Sequence, residues 1–144
     1  MELDPAFIMP AIGTRASLSK TFSEADLMAF ASLTGDNSPI HLDAGLASRS
    51  QYGVRTVHDM LAAGLIAALL HTRLPGPGAV CLSQQLEFLC PILLGDTVTA
   101  QVEVTASQPE KHLITLKTNC VNQDNRQVIT GQAVLMLLKE VIDV

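Results

Sequence analysis

The chain has 144 residues and a formal net charge of −5, from 9 basic and 14 acidic residues. This balance argues against a nucleic-acid-binding protein, because recognition of a phosphate backbone draws on clustered Lys and Arg. Hydrophobic residues make up 48% of the sequence and charged residues 16%, which excludes a disordered chain. We expect one domain with a sizeable core, part of whose apolar surface is covered by a second subunit.

The sequence shows no sign of export or of a membrane span. Its N-terminus lacks the basic region and long apolar stretch of a secretory signal. The apolar run over residues 57–70 includes His58 and Asp59 and is shorter than the ~20 residues that span a bilayer. We expect a cytoplasmic protein, or one of an organellar matrix. Residues 1–10 are interpreted as a disordered leader or a cloning remnant, and residues 11–144 as a single domain.

The first third of the chain predicts one strand followed by short helices. Alternation of small or apolar with polar residues predicts a half-buried strand over residues 14–21. Ser23 suits the N-cap of a helix over residues 24–33, Asp26 completes a weak capping box, and Gly35 ends the helix. The inner side of this helix is expected to carry Leu27, Phe30, Ala31 and Leu33. A short helix is then predicted from Asp43 through Ser48.

A helix over residues 58–70 is expected to be buried on all sides, because every residue after Asp59 is apolar or glycine. The proline and glycine residues of 74–78 end it. The rest of the chain predicts four consecutive antiparallel strands, over residues 80–88, 97–106, 113–121 and 128–138. One buried helix and one continuous sheet predict an α+β fold in which the sheet wraps around the helix.

The segment from Thr34 to Asp43 contains a carboxylate and an imidazole five residues apart. Ser38 precedes a proline and is pushed toward extended backbone, so it interrupts any helix between Asp36 and His41. The two side chains can then meet across a bend and hold one water molecule between them. An acid and a base arranged in this way can catalyse the addition or removal of water. In the alternative interpretation, Asp36 is a turn residue and His41 a partly buried structural histidine.

The start of the buried helix is a second candidate element of a site. Its first backbone N–H groups lack partners within the helix and suit an oxygen that acquires negative charge. If the Asp36 to His41 loop lies beside it, the arrangement serves proton transfer next to a carbonyl. His58 is expected to cap or pack at the helix start rather than transfer protons, and His71 and His112 are expected at the surface.

Cys81, Cys90 and Cys120 are dispersed among apolar neighbours, and no pair has the spacing of a metal site. We therefore expect buried, reduced thiols and no metal. Candidate phosphate-binding cations are not spaced as a phosphate cradle; these are Arg49, Arg55, Arg73 and Lys111.

Three motifs follow one another in a characteristic order: Asp36-Asn37-Ser38-Pro39-Ile40-His41, Val57-His58-Asp59-Met60-Leu61 and Leu74-Pro75-Gly76-Pro77-Gly78. Together with the segments 83–88 and 91–98, they resemble the MaoC-like, (R)-specific enoyl-CoA hydratases of the hotdog fold. The likeness extends from about Ala16 to Leu138, nearly the whole chain.

The resemblance implies a homodimer, a sheet curled around each central helix and a tunnel for an acyl thioester. It implies Asp36 and His41 as the catalytic pair and the backbone N–H of Asp59 as the donor to the thioester oxygen. Water would add to a trans-2-enoyl thioester of fatty-acid metabolism and give an (R)-3-hydroxyacyl thioester. We assign His41 to abstract the water proton and Asp36 to orient the water and deliver the α-proton. No cofactor is implied, since coenzyme A or acyl carrier protein is part of the substrate.

Three residues depart from the family pattern near this chemistry: Ser38 replaces the usual asparagine, Asp59 the usual glycine and Ala67 a serine found in many members. Asp59 keeps the backbone donor but brings a carboxylate beside the thioester, and Ala67 removes a hydrogen bond to Asp36. Candidate substrate-binding residues are His58, Tyr52 and Ala67. Tyr52 and Arg55 are expected either at the tunnel mouth or as ordinary loop residues.

Two other functions stay open, because a fold does not determine an activity. One is an acyl-CoA thioesterase, in which an acidic residue activates water against the thioester carbonyl. The other is a non-catalytic acyl-thioester-binding protein, an interpretation that the three departures make possible. The sequence leaves the acyl chain length and the carrier undetermined.

Overall fold

A five-stranded antiparallel sheet and one long helix dominate the computed structural model, which describes residues 9–138. In chain order the elements are β1 (Arg15–Thr21), α1 (Glu24–Thr34), α2 (Pro39–Leu42), α3 (Ala44–Ser48), α4 (Asp59–Thr72), β2 (Ala79–Phe88), β3 (Thr97–Gln108), a 3-10 helix (Pro109–Lys111), β4 (Leu113–Val121) and β5 (Gln127–Leu137). The predicted α+β class is confirmed. Residues 1–8 of the predicted leader lie outside the described residues. Between residues 9 and 138, no helix combines the length and the apolar character that crossing a membrane requires.

The strand order in the sheet is β1-β3-β4-β5-β2, and each neighbouring pair is antiparallel. The expectation of four consecutive paired strands is therefore wrong for β2, which pairs with β5 at one edge of the sheet. Residues 89–96 explain this, because they bind the segment before α4 instead of turning back as a hairpin. Val57 N–H donates to Ile92 O (2.7 Å), and Leu94 N–H donates to Arg55 O (2.8 Å).

Helix α4 packs one side into the core of the protein. Its buried residues are Ala62, Ala63, Leu65, Ile66, Leu69 and Leu70. The expectation that this helix is buried all round is wrong, since Met60 is 55% exposed and Gly64 and Ala68, one turn apart, are exposed too. A helix that lies on one sheet keeps a second face, and no segment between residues 9 and 138 covers it.

Helix α1 begins at the predicted Glu24 and extends one residue past the predicted end, to Thr34. Ser23 Oγ accepts the Asp26 N–H, and the Asp26 carboxylate accepts the Ser23 N–H at 2.9 Å, which completes a capping box. This backbone hydrogen bond, together with Lys20 at 3.1 Å, lowers the pKa of Asp26. Gly35 has φ 80° and donates its N–H to Ala31 O (2.8 Å), so a residue without Cβ ends the helix.

Two side chains contradict their predicted exposure. Leu33 is 86% exposed, because it lies two residues past the buried Ala31 and therefore about 200° around the helix. His112, expected at the surface, is only 5% exposed. The 3-10 helix ends at His112, which adopts φ 57° and accepts the Leu137 N–H with its carbonyl oxygen (2.8 Å), so the residue is folded against β5.

The three cysteines are free thiols, but only Cys120 is buried. Desolvation in the core raises the pKa of the Cys120 thiol to about 12, which keeps it protonated and unreactive. Cys81 and Cys90 are half-buried, so the expectation that all three are buried is wrong for these two.

Gly131 of β5 lies where the backbone of β2 approaches closely. A Cβ atom at this position would be 1.9 Å from the Gln85 carbonyl oxygen and 2.9 Å from the carbonyl carbon. Because both are backbone atoms, no side-chain rotation relieves the contact. We expect Gly131→Ala to lower the free energy of unfolding by about 1–3 kcal/mol, as measured by urea denaturation.

The matched control is Gln132→Ala, at the exposed next residue of the same strand. This change should stay within about 0.5 kcal/mol of the parent protein. If both variants lose the same small amount of unfolding free energy, the result would contradict the close approach of β2 and β5.

Candidate active site

The loop after α1 carries Asp36 between two helices. The Asp36 N–H donates to Thr34 Oγ1 (3.2 Å), and the Ser38 N–H donates to Asp36 Oδ1 (3.4 Å). Ser38 has φ −53° and ψ 132°, the extended conformation expected before a proline, and Pro39 then begins α2. The interruption predicted at Ser38 is therefore present, and Asp36 is exposed outside either helix.

His41 lies on α2, a one-turn helix that the sequence did not predict, and its Nδ1 is 2.7 Å from the Thr56 carbonyl oxygen. A carbonyl oxygen can only accept, so Nδ1 carries the hydrogen and Nε2 keeps its lone pair. This is the form that a general base needs. The Thr56 N–H donates in turn to Ile40 O (3.2 Å), which ties α2 to the segment before α4.

His58, the N-cap residue of α4, contacts both members of the predicted pair. Its ring stacks on that of His41, with centroids 3.9 Å apart and an interplanar angle of 25°. Its Nε2 is 2.9 Å from the main-chain carbonyl oxygen of Asp36, and its ring lies 4.8 Å from that of Phe30. The Asp36 to His41 loop and the start of α4 are thus neighbours in the structure.

Asp59 is the first residue of α4 and offers two opposing groups. Within residues 9–138 its backbone N–H has no hydrogen-bond acceptor, as expected at a helix N-terminus. Its side-chain Oδ1 accepts the Met60 N–H at 2.7 Å. The same end of the helix therefore carries a free N–H donor, which suits an oxyanion, and a negatively charged carboxylate.

A cleft of about 620 Å³ is lined by Asp36, His41 and Asp59 together. Its volume falls in the range of small-molecule sites. Much of the remaining lining is apolar and includes Ile40, Val57, Phe88, Leu89, Ile92 and Ile129. A cleft with apolar walls and with Asp36, His41 and Asp59 among its polar residues suits a ligand that has an acyl chain and one reactive polar group.

Asp36, His41 and His58 also place their potential metal-binding atoms within 4.8 Å of one another. The two imidazole rings are stacked nearly parallel, so their lone pairs lie in planes about 4 Å apart. A single ion bonded at about 2.0 Å to both rings would have to sit out of both ring planes. In this arrangement the three residues do not converge on one metal ion.

Residues 10–126 match the model of a known protein family, described as the MaoC like domain. The chain belongs to this family. The match covers the loop of Asp36, all of α4 and the first four strands of this MaoC-like protein.

Two similar proteins are named (R)-specific enoyl-CoA hydratase. The one from Rhodospirillum rubrum is 46% identical over 125 residues, which are 87% of this chain and 86% of the relative. The one from Aeromonas caviae is 43% identical over 126 residues, 88% of this chain and 94% of the relative. A solved structure, described as the (R)-hydratase from A. caviae involved in PHA biosynthesis, has a TM-score of 0.87 at 42% identity and covers 89% of this chain and 97% of its own. The predicted hotdog fold is confirmed.

The other residues singled out from the sequence lie at different distances from the cleft. Tyr52 is 39% exposed and lines it, whereas His58 and Ala67 are not among its lining residues. Ala67 follows Asp59 by eight residues, about 12 Å along α4. Arg55 is paired with Glu24 at 3.0 Å. The roles predicted for these residues in substrate binding stay predictions.

The sequence predicted no role for Thr56 or for the apolar wall formed by Ile92 and Ile129. Thr56 lies two residues before the predicted helix start. Its carbonyl oxygen, a group that every residue type carries, is 2.7 Å from His41 Nδ1, and its Oγ1 is 3.2 Å from the same atom. The wall comes from the connection after β2 and from β5, whose position at the cleft depends on the strand order. No local signal marks either feature.

Proposed function

We propose that this MaoC-like protein is an (R)-specific enoyl-CoA hydratase, which adds water reversibly to trans-2-enoyl-CoA and forms (R)-3-hydroxyacyl-CoA. The observation that carries the proposal is one cleft lined by Asp36, His41 and the residue with the free N–H, Asp59. Relatives of up to 46% identity bear this name, which supports the same reaction here.

The proposed reaction uses the lone pair that His41 keeps at Nε2. His41 takes one proton of a water molecule while the water oxygen bonds to the β-carbon of the substrate. The electrons of the double bond move toward the α-carbon and the thioester oxygen, where the Asp59 N–H stabilises the developing charge. Asp36 orients the water and delivers a proton that it holds to the α-carbon, and the proton that His41 took from the water replaces it on Asp36. One H and one OH are added in total.

The Asp59 carboxylate acts against this stabilisation. Its negative charge lies at the N-terminus of α4, where it interacts favourably with the helix dipole and with the Met60 N–H. The same charge opposes the negative thioester oxygen of the transition state. One oxyanion donor stabilises a transition state by roughly 2.7–4 kcal/mol. If the carboxylate cancels even part of this stabilisation, the reaction is measurably slower.

We also propose that the protein is a homodimer. Strand β2 is at the edge of the sheet and exposes Val80, Leu82 and Phe88 by 41%, 54% and 44%. The open face of α4, with Met60 and Gly64, is a second uncovered surface of small and apolar residues. A second copy of the chain that covers both surfaces removes an aggregation-prone edge and a large apolar patch from water.

The first test removes the catalytic pair. Asp36→Ala and His41→Ala should each lower kcat/KM for crotonyl-CoA by about 10²–10⁴-fold, the range for general acid and base groups. Loss of the enoyl absorbance measures hydration, and free thiol is measured in the same sample. His71→Ala, at an exposed histidine of α4, is the control. Wild-type rates in both alanine variants, or thiol release without hydration, would refute the proposal.

The second test separates the charge of Asp59 from its size. Asp59→Asn keeps an acceptor for the Met60 N–H but removes the charge, whereas Asp59→Gly removes both. We expect both variants to hydrate crotonyl-CoA faster than the parent protein, by up to about tenfold, a fraction of the value of an oxyanion donor. A faster Asp59→Gly with an unchanged Asp59→Asn would assign the effect to size rather than charge.

The third test concerns assembly. The double substitution Met60→Glu with Leu82→Glu places two charges on the uncovered surfaces and should give a monomer in sedimentation velocity, because buried unpaired charges are costly at an interface. Leu33→Glu changes an equally apolar residue that is 86% exposed on α1 and should leave the dimer intact. A monomeric parent protein would disprove the dimer.

A further inference from the structure

A buried imidazole lies behind the proposed catalytic pair and has no task in the reaction described above. The His58 side chain is 1% exposed and is not among the residues that line the cleft. It forms no hydrogen bond with His41, against which its ring is stacked, so it does not relay a proton to that residue. Its role must therefore come from what it holds in place.

The contacts of His58 determine its protonation state. Its Nε2 lies 2.9 Å from the Asp36 carbonyl oxygen, which can only accept, so Nε2 carries a hydrogen. Its Nδ1 is buried and has no partner between residues 9 and 138.

Three parts of the site meet at this one residue. The Nε2–H group of His58 holds the main chain of Asp36, and the face of its ring supports the His41 ring. Its carbonyl oxygen accepts the N–H groups of Leu61 (3.1 Å) and Ala62 (3.2 Å) and so begins α4 directly before the Asp59 N–H. The acid, the base and the oxyanion donor are all joined to His58.

We propose that His58 is a positioning residue: an imidazole with a hydrogen on Nε2 that holds the Asp36 main chain and the His41 ring in place beside the Asp59 N–H. The inference rests on the proposed hydratase function. Because His58 is shielded from the substrate, its removal disturbs the alignment of the reacting groups more than the binding of the acyl thioester.

Two substitutions separate the hydrogen bond from the ring. His58→Phe keeps a ring that can stack on His41 and loses the donor, whereas His58→Gln keeps an N–H donor at a similar reach and loses the ring. We expect His58→Phe to lower kcat for crotonyl-CoA by about 10- to 100-fold with KM unchanged. His58→Gln should recover part of this loss. The control His71→Phe, on the exposed histidine of the same helix, should match the parent protein.

Thermal unfolding of each variant shows whether it is folded before its kinetics are compared. A folded His58→Phe with the parent kcat would overturn the proposal, as would a defect confined to KM. Equal kcat values in folded His58→Phe and His58→Gln would also overturn it, because the donor would then have no special part.

A measurement on the unchanged protein is independent of activity. Nitrogen-15 NMR of histidine side chains should show a hydrogen on Nε2 of His58, whose signals are identified by their absence from the His58→Gln spectrum. An Nε2 without a hydrogen would overturn the tautomer proposed for His58, even if the protein hydrates enoyl-CoA. If the proposed function fails instead, the Asp36→Ala and His41→Ala variants reveal it while this spectrum stays as expected.

Discussion

The hydrogen bonds on either side of residues 55–58 hold the site together. On one side, Thr56 binds Ile40 and the His41 ring through its backbone N–H and carbonyl groups. On the other side, Val57 and Arg55 bind the connection between β2 and β3. This short segment leads directly into α4, so the position of the helix start, the direction of the His41 ring and one wall of the cleft depend on the same backbone. The segment uses its own main-chain groups in all these bonds, whereas the partner group at His41 is a side chain.

At the start of α4, a negative charge stabilises the helix but opposes the negative charge that develops in the proposed reaction. A carboxylate in the first turn stabilises a helix by about 0.3–1 kcal/mol, while an oxyanion donor contributes about 2.7–4 kcal/mol to a transition state. The larger of these two free energies belongs to the oxyanion donor, so Asp59 is better explained by the stability of the helix than by catalytic speed. Its Oδ1 bond to the Met60 N–H turns part of the charge toward the helix and limits the conflict.

Local signals in the sequence located most elements and both members of the proposed pair. Ser23 and Gly35 mark the ends of α1, because capping depends on a few adjacent residues. The position of β2 was missed, since it depends on where residues 89–96 find hydrogen-bond partners in a distant segment. The exposed face of α4 was missed as well, because an apolar helix gives no sign of which side the chain itself covers. Thr56 was missed too, since the shorter of its two contacts with His41 Nδ1 is made by a backbone carbonyl.

The strand order also has a consequence for folding during synthesis. Strand β1 pairs with β3 and β2 pairs with β5, and in both pairs the partner strand is synthesised later. Few long-range contacts of the sheet can therefore form early. Ile129 of β5 lines the same cleft as Asp36, 93 residues earlier in the chain. At translation rates of about 5–20 residues per second, the loop of Asp36 is made roughly 5–20 s before that wall exists. Until β3 is made, the apolar residues of α4 lack the strand against which they mainly pack, so this part of the nascent chain exposes apolar surface.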